Sequence, residues 1–168
     1  MFFVFILAGV FVCLILISWI WPPDSPWSPR WRTKKKIARA AFRLADLKNG
    51  ETVYELGSGE ATVLMVAVSE FGAKGVGVEI EPFRFLLSKI WIRQKGLSGK
   101  IKLIRGNFFD QNLSDADVVY VYLVTRALNR LLPKFKKELR KGTRIVSYKY
   151  KMNLTEKKTN KELSLYVI

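Results

Sequence analysis

The chain begins with a long apolar run, and strand-like and helix-like patterns alternate after it. Residues 1–21 contain nineteen apolar residues and no charged one. Residues 22–32 are rich in proline and aromatic side chains, which favours an extended linker over a helix. From residue 33 to residue 168 the pattern and the length predict one folded domain of ordinary size.

Within residues 33–168, apolar positions recur first at helical and then at strand spacing. Thr33 is expected to cap a first helix over residues 34–47. The strands are predicted at 52–56, 75–80, 101–106, 117–123, 143–150 and 163–168, and the later helices at 61–71, from Pro82 onward and at 126–141. This alternation predicts an α/β fold with a parallel sheet and helices on both faces. The last strand, the only closing strand that the pattern shows, is expected at the sheet edge.

The apolar run of residues 1–21 is long enough to cross a bilayer as a helix. Trp19 and Trp21 stand near its end, where interfacial aromatics are expected, and Pro22 ends it. A cleaved signal peptide would need a basic start and a small-residue cleavage site, and neither is evident. We therefore predict one N-terminal transmembrane helix that acts as a retained signal anchor. Since the basic residues follow this helix, the C-terminal domain is expected in the cytoplasm of a single-pass membrane protein.

The charge of the chain is strongly positive and concentrated in two segments. The sequence has 29 Lys and Arg residues against 14 Asp and Glu residues, a net charge of +15. Residues 30–48 and 134–151 each contain eight basic residues and one acidic residue. Such segments are typical of proteins that bind an anionic surface, either nucleic acid or a lipid bilayer, and for the second segment a plain solvated surface is the alternative. Because the predicted anchor adjoins the first segment, we favour the bilayer as the partner and disfavour nucleic acid.

The residue types exclude several kinds of site. The chain has no histidine and one cysteine, Cys13, which lies within the apolar run. A structural zinc site, a Cys/His pair and a Ser-His-Asp triad are therefore excluded, and no metal is predicted. Any chemistry must use carboxylates, amides, hydroxyls and backbone groups.

A glycine-containing loop with flanking acids carries the main chemical signal. The loop from Glu55 to Ala61 follows the first predicted strand, and Glu79 ends the second. In parallel α/β sheets such a loop binds a nucleoside cofactor, and such an acid binds the ribose diol. The dinucleotide fingerprint would need glycine or alanine at Thr62, and Glu55 suits a cationic ligand better than a pyrophosphate. The pattern favours S-adenosylmethionine as the cofactor.

From about residue 26 to residue 152 the chain resembles a group of class I methyltransferases. This group includes the mitochondrial lysine methyltransferases of the ATP synthase c-subunit and of the adenine nucleotide translocase, and small prokaryotic relatives. The resemblance rests on VYELGSGEA, GVGVEIEP, DVVYVYL and LLPKFKKELRKGTRIVSYKYKM. The chain departs from the group at Ala61, where glycine is usual, and at Tyr148 to Lys151, where the group has an acidic segment with a histidine.

The resemblance implies a Rossmann-like sheet of seven strands, S-adenosylmethionine as methyl donor and a lysine amine as acceptor. It places Glu79 at the ribose, and it places Asn107, where the group usually has Asp, at the adenine amino group. The other implied cofactor-binding residues are Glu55, Gly57, Ser58 and Gly59 around the methionine part, with Ile80 and Phe108 flanking the adenine.

Two tyrosines are candidates for the acceptor side of the site. Tyr120 and Tyr122 stand two residues apart at the end of the fourth predicted strand and so share one face of the sheet. An acceptor ammonium must lose its proton before methylation, which needs a dry site with groups that orient the free amine. We predict Tyr122, and after it Tyr120, as catalytic residues.

These observations predict a membrane-anchored methyltransferase that modifies lysine in a membrane protein. Three alternatives stay open. The acceptor could be a lipid, a quinone or another small molecule, since nothing in the sequence separates an amine from a phenol. The fold could serve as a catalytically silent binding module. An RNA acceptor would rest on the positive charge alone.

Overall fold

Seven strands form one sheet in a computed structural model of the protein, which describes residues 6–7, 9–13 and 32–168. The strands are β1 (Thr52–Leu56), β2 (Lys74–Glu79), β3 (Ile101–Arg105), β4 (Val118–Val121), β5 (Arg144–Tyr148), β6 (Lys158–Asn160) and β7 (Leu163–Val167). Their order across the sheet is β3-β2-β1-β4-β5-β7-β6. Strands β1 to β5 are parallel, and β7 runs antiparallel to both of its neighbours.

Helices cover both faces of this sheet. They are α1 (Lys35–Leu44), α2 (Thr62–Phe71), α3 (Pro82–Gln94) and α4 (Thr125–Glu138), with a short 3-10 turn at Phe108–Asp110. One buried cluster joins α1, α2 and part of α3 to the sheet, and a second joins α4 to the opposite face. The predicted α/β architecture with helices on both faces is confirmed, and it is that of a Rossmann-like sheet.

Alternation along β1 decides which side chains reach which face. Val53 packs with α1 and α2, whereas Tyr54 and Leu56 pack with α4. Glu55 therefore points to the α2 side, because successive side chains of a strand alternate. In the register of the sheet its neighbours are Gly77 of β2 and Tyr120 of β4. This register brings predicted site residues of β1, β2 and β4 together at the carboxyl ends of these strands.

The prediction of a single closing strand at the sheet edge is wrong. The segment 163–168 does contain a strand, β7, but β7 lies between β5 and a further strand, β6. Strand β6 has three residues, all exposed, and its sequence Lys-Thr-Asn is polar. Because it buries no side chain, it leaves no apolar pattern in the sequence. The sheet is therefore mixed rather than entirely parallel.

The predicted cap of the first helix is also wrong. The N-cap of α1 is Lys34, and its side chain makes no capping hydrogen bond. Thr33 lies one residue earlier, and its hydroxyl pairs with the hydroxyl of Tyr120 at 3.2 Å. Both hydroxyls are buried, so this pair satisfies two polar groups that would otherwise be costly. A contact between distant segments has taken the place of a local cap.

The predicted transmembrane anchor, residues 1–21, lies largely outside the described residues, and so does nearly all of the linker, residues 22–32. Residues 6–7 and 9–13 are helical and exposed. Across the described parts of the chain, no helix combines the length and the apolar character that crossing a membrane requires.

Arg144 at the start of β5 fixes the end of α1 to the sheet. One terminal nitrogen donates to the carbonyl oxygens of Ala45 and Asp46, at 2.9 and 3.0 Å. The other donates to Glu51 Oε1 at 2.6 Å. The pair is largely shielded, with side-chain exposures of 19% for Arg144 and 23% for Glu51. Replacement of Arg144 would leave a carboxylate and two carbonyl oxygens without their donor.

Arg144→Ala should lower the free energy of unfolding by about 2–3 kcal/mol, because hydrogen bonds to charged groups contribute more than neutral ones. Urea unfolding of the two proteins measures this difference. Lys48→Ala is the matched control, since the Lys48–Asp46 pair is exposed and should contribute under about 0.5 kcal/mol. Equal losses in the two variants would contradict this role of Arg144.

Candidate active site

The loop between β1 and α2 is fixed to β2 and α3 by hydrogen bonds. The backbone N–H groups of Gly57 and Ser58 both donate to the carbonyl oxygen of Val78, each at 2.9 Å. The N–H of Gly59 donates to Glu79 Oε2 at 2.6 Å. The carbonyl oxygen of Gly59 accepts from the hydroxyl of Ser88 at 2.5 Å. Both backbone polar groups of Gly59 thus have partners outside the loop.

Two glycines are required here for different reasons. Gly59 has φ +51°, a conformation that side chains with a Cβ rarely adopt. Gly77 leaves room, because a Cβ on it would lie 2.8 Å from Leu64 Cδ1 and 2.9 Å from Ser58 Oγ. Gly77 therefore allows α2 and Ser58 to pack directly against the sheet.

Ala61, where the resembling group has glycine, is buried in the core. Its φ is 54°, so it keeps the left-handed conformation that favours glycine. It is fully buried and belongs to the apolar cluster formed with α1 and α2. The methyl group of Ala61 therefore packs in the core and is not exposed on the surface of the loop.

Glu55 is a buried carboxyl group with an unused oxygen. Only 6% of the residue is exposed, and the carboxyl group accepts a hydrogen bond from the N–H of Leu64 in the first turn of α2. Among the described residues, Oε2 has no hydrogen-bond partner. Burial, with a smaller contribution from the nearby Glu79, raises the pKa of Glu55 well above its ordinary value. A cationic group beside Oε2 would favour the ionised form.

Glu79, at the carboxyl end of β2, bonds backbone groups on both sides of the same site. Only 7% of the residue is exposed. Oε2 accepts from Gly59 N–H and Oε1 accepts from Glu81 N–H, the latter at 2.9 Å. Each carboxylate oxygen can accept a second hydrogen bond, so the group can also accept from a ribose diol. The sequence predicted that Glu79 binds the ribose, but it did not predict that Glu79 also holds the loop through Gly59.

Three further residues lie at the site, and the contacts that they make were not predicted. Ser88, fully buried in α3, shares its hydroxyl proton between the carbonyl oxygens of Gly59 and Arg84. Glu81 caps α3 by accepting from the N–H groups of two first-turn residues. Glu60 pairs with Arg32. One sequence feature indicates Ser88, since serine is uncommon in the middle of a helix unless its hydroxyl makes a specific hydrogen bond.

The residues predicted to bind adenine follow β2 and β3. Ile80 is 39% exposed, so its apolar side chain is available to a ligand. Phe108 is buried and packs against Phe109, with ring centroids 4.7 Å apart. Asn107 is exposed, and its side-chain oxygen accepts from Phe109 N–H at 3.0 Å. The carboxamide can still donate its own N–H groups and accept a second hydrogen bond.

Tyr120 occupies a packing position. It is 1% exposed, its hydroxyl is paired with Thr33, and its ring lies 6.4 Å from that of Phe42 in α1. Burial raises its pKa far above the ordinary value for tyrosine. This environment favours a structural role for Tyr120, although in the register of the sheet it lies beside Glu55.

Tyr122 instead belongs to an aromatic group that we call the tyrosine cluster: Tyr122, Tyr148 and Tyr150. The ring of Tyr122 lies 4.6 Å from that of Tyr148 and 6.2 Å from that of Tyr150. The ammonium of Lys149 lies 5.9 Å from the Tyr122 ring centre and 5.5 Å from that of Tyr148. A hydrogen bond with Tyr122 raises the pKa of Lys149. The tyrosine cluster therefore already accommodates a lysine ammonium.

A model of the ANTKMT methyltransferase domain matches residues 55–159, which include the loop, both acids and the tyrosine cluster. The chain belongs to this family. It is 34% identical over 131 residues to the protein-lysine N-methyltransferase of Saccharolobus islandicus (strain REY15A), covering 77% of this chain and 80% of the relative.

Solved structures share the fold of this ANTKMT-family chain. One is the RNA methyltransferase of Salinibacter ruber in complex with S-adenosyl-L-homocysteine, with a TM-score of 0.77 and 26% identity. It covers 82% of this chain and 92% of that one. The tRNA methyltransferase TrmK of B. subtilis has a TM-score of 0.61 at 17% identity, over 80% of this chain and 65% of its own.

The protein is an S-adenosylmethionine-dependent methyltransferase. The residues at the carboxyl edge of the sheet fit this cofactor. Glu55 presents a buried unpartnered oxygen, as a cationic ligand requires, and Glu79 presents acceptors for a ribose diol. Ser58 contributes a buried hydroxyl that has no partner among the described residues. When bound, the cofactor supplies a methyl group on a positively charged sulfur.

Affinity for S-adenosylmethionine should rise with pH on the acid side of the raised pKa of Glu55, because the protonated carboxyl group must ionise to pair with the cationic ligand. Binding in that range releases a proton, and affinity increases by up to about tenfold per pH unit. Isothermal titration over a pH series, in buffers of different ionisation enthalpy, measures both effects.

Glu55→Gln should bind more weakly at high pH and show no such slope. Glu70→Gln is the control, since Glu70 lies near the end of α2 and pairs with Arg39. The role of Glu55 would be refuted by a slope that survives in Glu55→Gln.

Proposed function

We propose that this methyltransferase modifies lysine side chains of a protein substrate and that it works at a membrane. The observation that carries the acceptor assignment is the tyrosine cluster with a lysine ammonium over its rings. The Saccharolobus relative, which is named a protein-lysine N-methyltransferase, supports the same acceptor class.

The tyrosine cluster suits both protonation states of an acceptor lysine. Aromatic faces attract an ammonium, by about 0.5–1 kcal/mol when exposed and more when water is excluded. The hydroxyl of Tyr122 can accept a hydrogen bond from an ammonium or a neutral amine, and the partly buried rings limit water. Once the ammonium has given its proton to solvent, the amine lone pair is free to attack. Positioning and dehydration are what these residues contribute.

Lys149 stands where we place an acceptor side chain. Its φ is 67°, which is uncommon for a residue with a Cβ, and its N–H donates to the carbonyl oxygen of Glu162 at 2.7 Å. The side chain itself is exposed and free to move aside. An entering lysine would replace one ammonium by another over the same rings, so the exchange costs little electrostatic energy.

Tyr122→Phe should lower the turnover number by about tenfold to a hundredfold, because the amine loses the hydroxyl that orients it. Affinity for S-adenosylmethionine should not change. The assay combines the full chain, labelled S-adenosylmethionine and a membrane-protein fraction, with the modified residues located by mass spectrometry.

Tyr54→Phe is the control, since Tyr54 lies on the other face and its hydroxyl bonds Asp115 at 2.6 Å. Label found in lysine supports the proposal. Label found only in the lipid extract, or no turnover with intact cofactor binding, would replace it by the small-molecule or the silent-module alternative.

RNA is the second candidate acceptor. The Salinibacter structure is named an RNA methyltransferase, and the charge of +15 suits a polyanion. Total RNA therefore forms a further arm of the same assay, and label in RNA without label in lysine would move the assignment there.

The membrane part of the proposal rests on the sequence. The apolar run of residues 1–21 is followed by the basic segment 30–48, an order typical of a single-pass anchor with a cytoplasmic domain. An integral membrane protein is then the substrate that shares the surface with the enzyme. Tethering raises the effective concentration of enzyme and substrate by restricting both to one surface.

Deletion of residues 1–21 should lower methylation of the membrane substrate by about 10²–10⁴-fold and leave cofactor affinity unchanged. The sheet and both buried clusters described by the structure lie within residues 32–168, so the deletion leaves them in place. An unrelated transmembrane segment in place of residues 1–21 should restore the rate. A deletion variant with the full rate on the membrane substrate would show that the segment does not act as an anchor.

A further inference from the structure

Helix α3 carries an exposed apolar stripe on the catalytic domain. Phe83 and Leu86 are each 54% exposed, and Ile90 is 42% exposed. Their spacing of three and four residues puts them on one side of the helix. Large apolar side chains grouped in this way mark a surface that something covers.

Basic residues accompany this stripe along the helix, and the adjoining acid, Glu81, is occupied in capping the first turn. Residues 82–95 contain Arg84, Lys89, Arg93 and Lys95 but neither Asp nor Glu. The inner side of α3 packs on the sheet through Ile92, so the outward stripe is a second apolar side, and with Lys and Arg beside it this surface offers both contacts that an anionic bilayer takes.

A cavity at the end of α3 continues the positive surface. It has a volume of about 360 Å³, and its lining includes Arg32, Lys34, Lys35 and Lys95 together with Trp91. The guanidinium of Arg32 lies 5.5 Å from the centre of the Trp91 ring. Interfacial tryptophan beside several cations is the combination that lipid headgroups attract.

We propose that α3 is a membrane-docking helix, whose apolar stripe enters the interface of an anionic phospholipid bilayer while its basic residues contact the headgroups. This contact is separate from the predicted anchor, because it belongs to the folded domain and needs no residue before 32. It also does not depend on which acceptor the enzyme uses.

Docking through α3 would place the cofactor loop at the bilayer. The inward side of α3 contains Ser88, whose hydroxyl bonds the carbonyl oxygen of Gly59, and the buried Ile92. The loop is therefore separated from the docked surface by about one helix diameter, ~10 Å. A substrate segment emerging from the membrane would meet the active site without leaving the headgroup region.

Spin labels on the full chain test this proposal. In a Cys13→Ala background, single cysteines are introduced as Leu86→Cys on the stripe and Val167→Cys in β7. Val167 is the matched control, being apolar, 39% exposed and distant from β3 across the sheet. The native Cys13, labelled alone, reports on the predicted anchor independently. Each protein is examined in vesicles of phosphatidylcholine with and without about 30% phosphatidylglycerol.

With anionic vesicles, the label at position 86 should gain oxygen accessibility and lose nickel-chelate accessibility by about threefold or more, and the label at 167 should not. Equal behaviour at 86 and 167 overturns the proposal. So does a label at 86 that is shielded from both reagents without lipid, which would indicate a second copy over the stripe. Membrane signals at 13 without any at 86 would leave the anchor intact and refute α3 docking alone.

A double substitution, Phe83→Ser with Leu86→Ser, gives a second test with the label at Ile90→Cys. Both side chains are exposed, so the fold and the affinity for S-adenosylmethionine should be retained. The lipid-induced change at position 90 should fall at least fivefold, whereas Val167→Ser should leave it unchanged. A full signal at position 90 in the double variant would also overturn the proposal.

Discussion

The site depends on how Gly59 is fixed. Its N–H is bonded to Glu79 of β2 and its carbonyl oxygen to Ser88 of α3, so one residue joins the first loop to two other elements. Backbone groups fixed in this way need no reorganisation when a ligand arrives, and that favours tight and specific binding. The same two bonds fix the distance between the cofactor loop and α3. A displacement of α3 would therefore also displace the loop.

The two acids of the site have different environments, and the difference explains their roles. Glu79 accepts hydrogen bonds from two backbone N–H groups, and such bonds compensate a buried carboxylate for the water that it has lost. Glu55 has one such bond and an unpartnered oxygen, so burial dominates and raises its pKa. An unpaired buried carboxyl group lowers the stability of the empty protein and raises its affinity for a cation. The protein thus retains at Glu55 an unfavourable interaction that its positively charged ligand relieves.

The sequence predicted those features of the fold that leave a regular pattern. Strands β1 to β5, the helices between them and the Gly57–Gly59 loop with Glu55 and Glu79 all followed from periodicity and spacing. Strand β6 could not be predicted, because its three exposed polar residues bury nothing. The partners of Ser88 and Arg144 could not be predicted either, since each residue bonds a segment distant in sequence. Such contacts depend on the sheet order, which one sequence alone does not determine.

The charge of the domain bears on how a lysine acceptor can approach it. A protein with a net charge of +15 repels lysine-rich segments in solution, and salt screens this repulsion only beyond about 8 Å. The tyrosine cluster lies beside Lys149, and two of its three residues belong to the basic segment 134–151, so the repulsion acts at the site itself. An anionic bilayer against α3 and the basic segment 30–48 would neutralise much of this field. Under the proposed function, the membrane therefore restricts the search of enzyme and substrate for each other to one surface. It also reduces the electrostatic barrier to a cationic substrate. An acceptor lysine close to the headgroups is the one that this charge distribution admits most readily.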